Sequence, residues 1–284
     1  MQAHERITAA ISAANEAGRP ALIPFITAGY PDPSEFIDTL KAVAAKGDVV
    51  ELGIPFSDPM ADGMTIQRSS FEALQKGVSL KWIFDQLDAA QGEIEAPLVM
   101  MSYLNPLLAF GYDALAERAL AAGVCGFIVP DLPFEESGDI RAALETKELG
   151  LIQLVTPATP DQRLKTLCDA SRGFVYAVTI TGITGGDVGL PPDLADYLDR
   201  VARISQLPVC AGFGIRSAQD VANVGRHAAG AIVGSALVEV LERGEDPQPT
   251  RRPGDGAVRR VGRPPSGSAR IGPPRPGYRG RARR

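Results

Sequence analysis

The chain has 284 residues, of which 45% are hydrophobic and 22% are charged, and its formal net charge is −5. This length is sufficient for one large α/β domain, and the composition gives no indication of a nucleic-acid partner. No uncharged apolar run approaches roughly 18 residues and no charged-then-apolar leader opens the chain, so we expect no membrane segment. Three cysteines without C-x-x-C spacing, Cys125, Cys168 and Cys210, indicate reduced, buried thiols in a cytoplasmic protein.

The first 244 residues follow the pattern of a βα-repeat domain. Residues 1–18 place Ile7, Ile11 and Ala14 at helical spacing, which predicts an amphipathic helix before the first strand. Short apolar runs then alternate with amphipathic stretches, as in βα units. The predicted strands are 22–27, 48–52, 97–102, 126–130, 151–155, 173–178, 207–211 and 230–234.

Helices at 65–75 and 80–90 are both predicted between the second and third strands, because that interval is too long for one helix. Eight parallel strands in residues 1–244 indicate an α/β protein with a closed (β/α)8 TIM barrel and an additional N-terminal helix. An open, doubly wound sheet is the alternative.

Two carboxylates lie at the end of the second predicted strand, in V-V-E-L-G-I-P-F-S-D-P-M-A-D-G (49–63). The apolar neighbours of Glu51 predict that it is the last inward residue of a buried strand, and Asp62 follows on the loop. Ligands bind at this end of the strands in parallel α/β folds, so the pair is a candidate acid–base site. A buried Glu satisfied by backbone amides and an Asp that caps a turn are the alternative interpretation.

Glycine-rich loops follow the last three strands. Gly185 and Gly186 follow the sixth, A-G-F-G-I-R-S (211–217) the seventh and G-S-A (234–236) the eighth, where Ser235 opens a short helix predicted at 236–243. Glycines let main-chain N–H groups approach a ligand, and the first amides of a helix are free to bind an anion. This predicts a phosphate site, although turns also use glycine. Its candidate residues are Gly185, Gly212, Gly214, Gly234 and Ser235.

Residues 245–284 differ in composition from the rest of the chain. They hold 11 Arg, 8 Pro and 7 Gly with three acids, a net charge of 11 − 3 = +8, which leaves −13 on residues 1–244. The segment has too few apolar side chains to offset its ordering entropy, so we expect it to be disordered. An RNA-binding tail is one interpretation. We favour a non-native terminus, because arginine without lysine is typical of a GC-rich gene read out of frame.

The rest of the composition restricts the chemistry. The lysines of residues 1–244 fall on predicted helices or surface loops, which argues against a Schiff-base aldolase. The two histidines, His4 and His227, lie on predicted helices, which argues against a metal-dependent aldolase or epimerase. Carboxylate acid–base chemistry on a phosphorylated substrate, without a metal or other cofactor, is what remains.

Seven motifs in this order resemble the family of tryptophan synthase alpha subunits, from about residue 4 to residue 246. The resemblance implies retro-aldol cleavage of indole-3-glycerol phosphate to indole and glyceraldehyde 3-phosphate, in the biosynthesis of L-tryptophan. The motifs are P-F-I-T-A-G-Y-P (24–31), E-L-G-I-P-F-S-D-P (51–59, followed by A-D-G and T-I-Q), S-Y-L-N-P (102–106), G-F-I-V-P-D-L-P (126–133), T-G-I-T-G (181–185), G-F-G-I (212–215) and V-G-S-A (233–236).

The resemblance also implies roles for single residues. Glu51 would be the acid–base and Asp62 the partner of the indole N–H, with Tyr176 beside the reacting centre and Thr184 bracing Asp62. Ordinary barrel packing is the alternative for the residues that would line the indole pocket. Those residues are Phe25, Ile66, Tyr103, Ile128 and Phe213.

The same resemblance implies a partner. A beta subunit that binds pyridoxal phosphate would dock at the mouth of the barrel and receive indole, in a tetramer of two alpha and two beta chains. Asp58 and Pro59 would belong to that interface, and the loops 56–63 and 181–192 would close over the substrate. A catalytically weak barrel that acts mainly as an allosteric partner of the beta subunit is the alternative function.

The chain departs from the family in four places. Cys125 stands where the family usually has Asp, Met64 stands where it has Pro, and one residue is missing beside Gly47. Either substitution could lower activity without changing its type. The tail replaces a last barrel helix, so we expect apolar surface on the eighth strand to be exposed.

Overall fold

The computed structural model describes residues 1–179 and 193–244. The tail of residues 245–284 and the loop 181–192, with Thr184 and Gly185, lie outside the described residues. Within them, eight parallel strands close into a barrel in the order β1 to β8. The closed TIM barrel is therefore confirmed, and the open sheet is wrong. The strands are β1 (Ala21–Thr27), β2 (Val50–Gly53), β3 (Leu98–Met101), β4 (Val124–Ile128), β5 (Gly150–Val155), β6 (Val175–Val178), β7 (Val209–Gly212) and β8 (Gly230–Val233).

Helices fill the intervals between the strands. The two helices predicted between the second and third strands are present as α3 and α4, and the helix predicted at 236–243 begins and ends one residue earlier. The helices are α1 (Ala3–Glu16), α2 (Phe36–Ala44), α3 (Met64–Gln75), α4 (Leu80–Ala89), α5 (Leu104–Phe110), α6 (Tyr112–Ala121), α7 (Gly138–Glu145), α8 (Asp161–Ala170), α9 (Leu194–Ile204), α10 (Ala218–Val224) and α11 (Ser235–Glu242). No helix in the described ranges is both long and apolar enough to span a membrane.

The strand register places Glu51 inside the barrel. Phe25 of β1, Glu51 of β2 and Val99 of β3 lie side by side. Successive side chains of a strand point to opposite faces, so these three face the interior while their neighbours pack against the helices. Gly53 is the next inward position of β2, and a Cβ there would collide with the Phe25 ring. Glu51 is thus the last inward side chain of its strand, as predicted.

Helix α1 covers the amino end of the barrel and confirms the predicted additional helix. Its Ile7 and Ile11 are fully buried. The Thr8 hydroxyl donates to the carbonyl oxygen of Gly173 at 2.7 Å, and the Asn15 amide donates to that of Ala229 at 2.7 Å. These bonds fix α1 to residues just before β6 and β8, so the carboxyl ends of the strands form the mouth.

Two of the expected departures from the resembled family lie far from that mouth. Cys125 is the second residue of β4, in the same buried cluster as Ile7 and Ile11 of α1. Asp48, next to the missing residue, accepts two hydrogen bonds from Arg19 at 2.6 and 2.7 Å. These bonds anchor the loop before β2. All three cysteines are buried and free, as predicted.

Candidate active site

Glu51 and Asp62 are both buried at the mouth, with exposed fractions of 1% and 9%. Glu51 is on β2, and Asp62 lies on the loop just before α3. Among the described residues, Oε2 of Glu51 is buried without a hydrogen-bond partner. An orphaned buried polar atom costs about 1–3 kcal/mol, and more if charged, so it needs a functional explanation. A ligand that enters from the mouth and bonds to Oε2 of Glu51 would provide that explanation.

Burial gives the two carboxyl groups different proton affinities. Desolvation, with a smaller contribution from the nearby Asp62 charge, raises the pKa of Glu51 to about 8. Desolvation also raises the pKa of Asp62, to about 6, while the hydrogen bond from Tyr103 opposes this shift. At neutral pH Glu51 is therefore mainly a neutral acid and Asp62 mainly a carboxylate, which is the division expected of an acid–base pair.

Asp62 is held by contacts from two neighbouring elements. The Tyr103 hydroxyl donates to Oδ2 of Asp62 at 3.0 Å and accepts the Ala61 N–H at 2.9 Å. The Gln67 side-chain amide, on α3, donates to the carbonyl oxygen of Asp62 at 2.8 Å. The Tyr103 ring also stacks on Phe56, with 5.2 Å between centroids. Tyr103, predicted only as a pocket residue, thus positions the catalytic candidate.

An apolar surface lies beside the two carboxylates. Phe25, Ile66, Ile128 and Tyr176 belong to one buried cluster in the barrel, and Phe213 packs against it. Burial and the negative charges of Glu51 and Asp62 raise the pKa of Tyr176 well above its usual range, so its hydroxyl stays neutral.

Met101 belongs to the same cluster and Leu154 packs against it, and neither was predicted as a pocket residue. Both occupy inward positions near the carboxyl ends of β3 and β5. The alternation of these strands was a signal that could have identified them.

The start of α11 has the geometry of an anion site. The amides of Leu237 and Val238 donate to the carbonyl oxygen of Gly234 at 2.8 and 3.0 Å, which leaves those of Ser235 and Ala236 at the helix end. A Cβ at Gly234 would meet only ordinary contacts with Phe25, from 3.5 to 3.7 Å. The protein therefore does not itself require glycine here, and close approach of a ligand would explain it.

The loop after β7 forms the neighbouring wall. Phe213 and Gly214 have φ angles of +72° and +74°, and a non-glycine residue in this region costs of order 1–3 kcal/mol. The Thr179 hydroxyl, which the sequence analysis missed, lies against the carbonyl oxygens of Gly212, at 2.9 Å, and Phe213. A Cβ at Gly212 would collide with the Tyr176 ring, so Gly212 also has a packing role of its own.

Exposed residues surround the mouth on the side of β2 and β3. Asp58 is exposed and Pro59 half-buried in the loop after β2. Met60 in the same loop is 79% exposed, Leu108 of α5 is 57% exposed, and Met64 at the start of α3 is also exposed. Apolar side chains in such positions are characteristic of surfaces that bind partners.

In the part of the chain that the structure describes, no group of three or more His, Cys, Asp or Glu residues could hold a metal ion. The mouth instead brings together a buried carboxylate pair, a buried apolar cluster and a helix N-terminus. These features define a (β/α)8 barrel with a buried carboxylate pair and a candidate anion site at its mouth.

Comparison with known proteins identifies the family. The family described as "Tryptophan synthase alpha chain" matches residues 11–253. The tryptophan synthase alpha chain of Nitratidesulfovibrio vulgaris (strain Hildenborough) is 43% identical over 242 residues, which cover 85% of this chain and 94% of that protein. A structure of tryptophan synthase from Mycobacterium tuberculosis aligns with a TM-score of 0.78 and 37% identity, covering 85% of this chain and 93% of that chain. A tryptophan synthase complex from Pyrococcus furiosus aligns with a TM-score of 0.71 and 35% identity, covering 78% and 90%.

The chain therefore belongs to the tryptophan synthase alpha chain family. It has the alpha-subunit role in tryptophan biosynthesis and is a lyase by family, which confirms the resemblance found in the sequence. The alternative of a catalytically weak barrel is not favoured.

Glu51→Gln is expected to stabilise the fold at alkaline pH. Because the native pKa of Glu51 is about 8 and the ordinary value is 4.5, the native state holds a proton that the unfolded chain has lost between these values. The parent therefore loses stability as pH rises through this window, and the neutral amide does not. Urea unfolding at pH 5 and pH 8 measures the effect: the advantage of Glu51→Gln should be larger at pH 8. An equal difference at both pH values would contradict the burial argument.

Proposed function

We propose that the protein cleaves indole-3-glycerol phosphate to indole and glyceraldehyde 3-phosphate by a retro-aldol step without a cofactor. The orphaned Oε2 of Glu51, facing Asp62 in a buried mouth, is the observation that carries the proposal. Membership of the family supports the same reaction.

In this mechanism Glu51 acts first as an acid and then as a base. Its neutral carboxyl protonates C3 of the indole ring, which weakens the bond to the glycerol chain. The resulting carboxylate takes the proton of the adjacent glycerol hydroxyl as that carbon–carbon bond breaks, which releases the aldehyde and returns Glu51 to its neutral form. A pKa of about 8 suits a group that must give and take a proton near neutral pH.

Asp62 stabilises the charge that develops on the ring. Protonation at C3 makes the indole nitrogen cationic, and a carboxylate beside its N–H lowers the energy of that state. Tyr103 keeps Asp62 ionised and fixes its orientation through the 3.0 Å hydrogen bond. The described pocket residues, among them Phe25, Ile66 and Tyr176, would hold the ring.

The phosphate would bind where α11 begins. The amides of Ser235 and Ala236 and the main chain at Gly234 and Gly214 would contact its oxygens, helped by the helix dipole. Gly185 completes the predicted set.

A beta subunit with pyridoxal phosphate is the proposed partner, in a complex of two alpha and two beta chains in the cytoplasm. The tryptophan synthase of Pyrococcus furiosus is described as a complex. The exposed Met60 and Leu108, with Asp58 and Pro59 beside them, offer a docking surface next to the site. Docking there would exclude water and retain the released indole.

Indole release should depend on pH with a maximum between about 6 and about 8. Below this range Asp62 becomes protonated, and above it Glu51 loses its proton. The measurement is kcat/KM for indole release from indole-3-glycerol phosphate across pH 5–9.

Asp62→Asn should lower the turnover of indole release and remove the decline of the rate at low pH. Glu51→Gln should lower the turnover ~10²–10⁴-fold. Nearly parental indole release by purified Glu51→Gln would show that the assigned mechanism is wrong.

Gly234→Asp should weaken substrate binding while the protein remains folded. The new side chain would meet only ordinary contacts within the protein, but its charge would lie where the phosphate approaches the helix amides. Glycerol phosphate should therefore raise the melting temperature of the parent and not that of the variant. Equal shifts would exclude a phosphate site at this position.

Adding a beta subunit should increase the rate of indole release by the parent, and Leu108→Ser should weaken this effect. Leu108 is 57% exposed at the mouth, and Leu120, at 44% exposed near the end of α6, is the matched control. Titration with the beta subunit measures the half-saturating concentration, which should rise for Leu108→Ser and remain parental for Leu120→Ser. Asp58→Ala should reduce the gain in turnover. Parental titrations for both mouth variants would place the partner on another surface.

A further inference from the structure

Glu239 joins three elements around the mouth through its two carboxylate oxygens. It lies on α11, four residues after Ser235. Its Oε1 accepts the Thr65 hydroxyl at 3.2 Å, and its Oε2 pairs with the Arg216 guanidinium at 2.7 Å. Thr65 is the second residue of α3, and Arg216 lies in the loop between β7 and α10.

Each of these elements carries a different part of the site. α11 and the loop after β7, with Gly214, form the walls of the proposed phosphate site. α3 holds Asp62, because Gln67 on its first turn donates to the carbonyl oxygen of Asp62 at 2.8 Å. A displacement of α11 or of the loop would therefore reach Asp62 through Thr65 and the first turn of α3.

The local contacts make this bridge stiff. Thr65 is only 8% exposed, so its hydroxyl has few alternatives to Glu239. The Arg216 main chain is fixed by its N–H bond to Oδ2 of Asp220 at 3.1 Å. Salt screening weakens the partly exposed pair of Glu239 and Arg216, but the shared carboxylate still sets the spacing of the three elements.

Charge gives a second reason to assign Glu239 a positioning role. A carboxylate on the helix that receives a phosphate would repel that ligand. Arg216 neutralises it at 2.7 Å, so the carboxylate can remain close to an anion site without the full repulsion. The sequence analysis quoted Arg216 only as part of the segment 211–217 and did not single out Glu239, and the pairing across 23 positions follows no local motif.

We propose that Glu239 is a positioning residue that couples phosphate binding at α11 to the placement of Asp62. The inference rests on the proposed function, since it needs both the phosphate site and the role of Asp62. Phosphate binding fixes α11 and the loop after β7, Glu239 passes this restraint to Thr65, and the first turn of α3 then holds Asp62 for catalysis.

A neighbouring ion pair provides a matched control. Arg68 and Glu242 join the same two helices at 2.5 Å, each three residues beyond Thr65 and Glu239. Within the described residues this pair forms no hydrogen bond or ion pair with the loop after β7, and its side chains are 47% and 37% exposed. Glu242→Gln therefore removes a link between α3 and α11 while leaving the bridge of Glu239 intact.

Hydrogen exchange with glycerol phosphate as the probe tests the coupling without turnover. In the parent, the ligand should slow exchange in residues 234–238 and also in residues 62–68. Thr65→Val should keep the first protection and lose the second, whereas Thr65→Ser and Glu242→Gln should keep both. Protection of 62–68 that survives in both Thr65→Val and Glu239→Gln would overturn the proposal.

Kinetics provides the second readout. Thr65→Val should lower kcat roughly fivefold, the factor that corresponds to one hydrogen bond, with KM changed less than about twofold and with Thr65→Ser restoring the rate. The double variant with Glu239→Gln should be no slower than the slower single variant, as expected for residues acting in one pathway. Additive losses of kcat in the double variant would contradict the bridge.

The exchange experiment also separates a wrong phosphate site from a failed coupling. If glycerol phosphate slows exchange in neither segment of the parent, the proposed phosphate site itself is wrong.

Discussion

Desolvation of the Glu51 carboxyl underlies the proposed chemistry and part of the energetics of this barrel. β2 places the side chain inside the barrel between Phe25 and Val99 in register, and no described group bonds to its Oε2. In such surroundings the neutral form is preferred, which raises the pKa to about 8. The burial that supplies an acid at neutral pH also makes the native state less stable as pH rises.

The two carboxylates differ because their partners differ. Asp62 accepts the Tyr103 hydroxyl and lies at the start of a helix, whereas Glu51 has apolar neighbours and faces the Asp62 charge. Exchange of roles between them would require moving Tyr103, since it is this hydroxyl that favours the ionised form of Asp62. The proposed roles, Glu51 as the acid–base and Asp62 as the stabilising carboxylate, thus follow from the different partners of the two groups.

Local patterns predicted the barrel and its main carboxylates, but not the contacts that position them. Glu51 and Asp62 belong to one contiguous segment, so the strand and its loop could be recognised together. Tyr103 lies 41 residues from Asp62 and Glu239 lies 174 residues from Thr65. Strand alternation predicts which face of the sheet a side chain lies on. Contacts between side chains so far apart in the sequence depend on how the barrel closes. Cys125 was predicted to lie just before the fourth strand, and it lies within β4 because the strand begins two residues before its predicted start.

Closure of the barrel also explains how one substrate can reach both ends of the site. β1 pairs with β2 on one side and with β8 on the other. A Cβ added at Gly53 would collide with the far edge of the Phe25 ring. A Cβ added at Gly234 would lie 3.5 Å from Cδ1 and 3.6 Å from Cβ of the same residue. A single ring therefore lies between the acid–base pair and the helix end proposed for phosphate. In an open sheet with β1 and β8 as edges these two regions would be separated by the full width of the sheet, so the proposed chemistry requires the closed form.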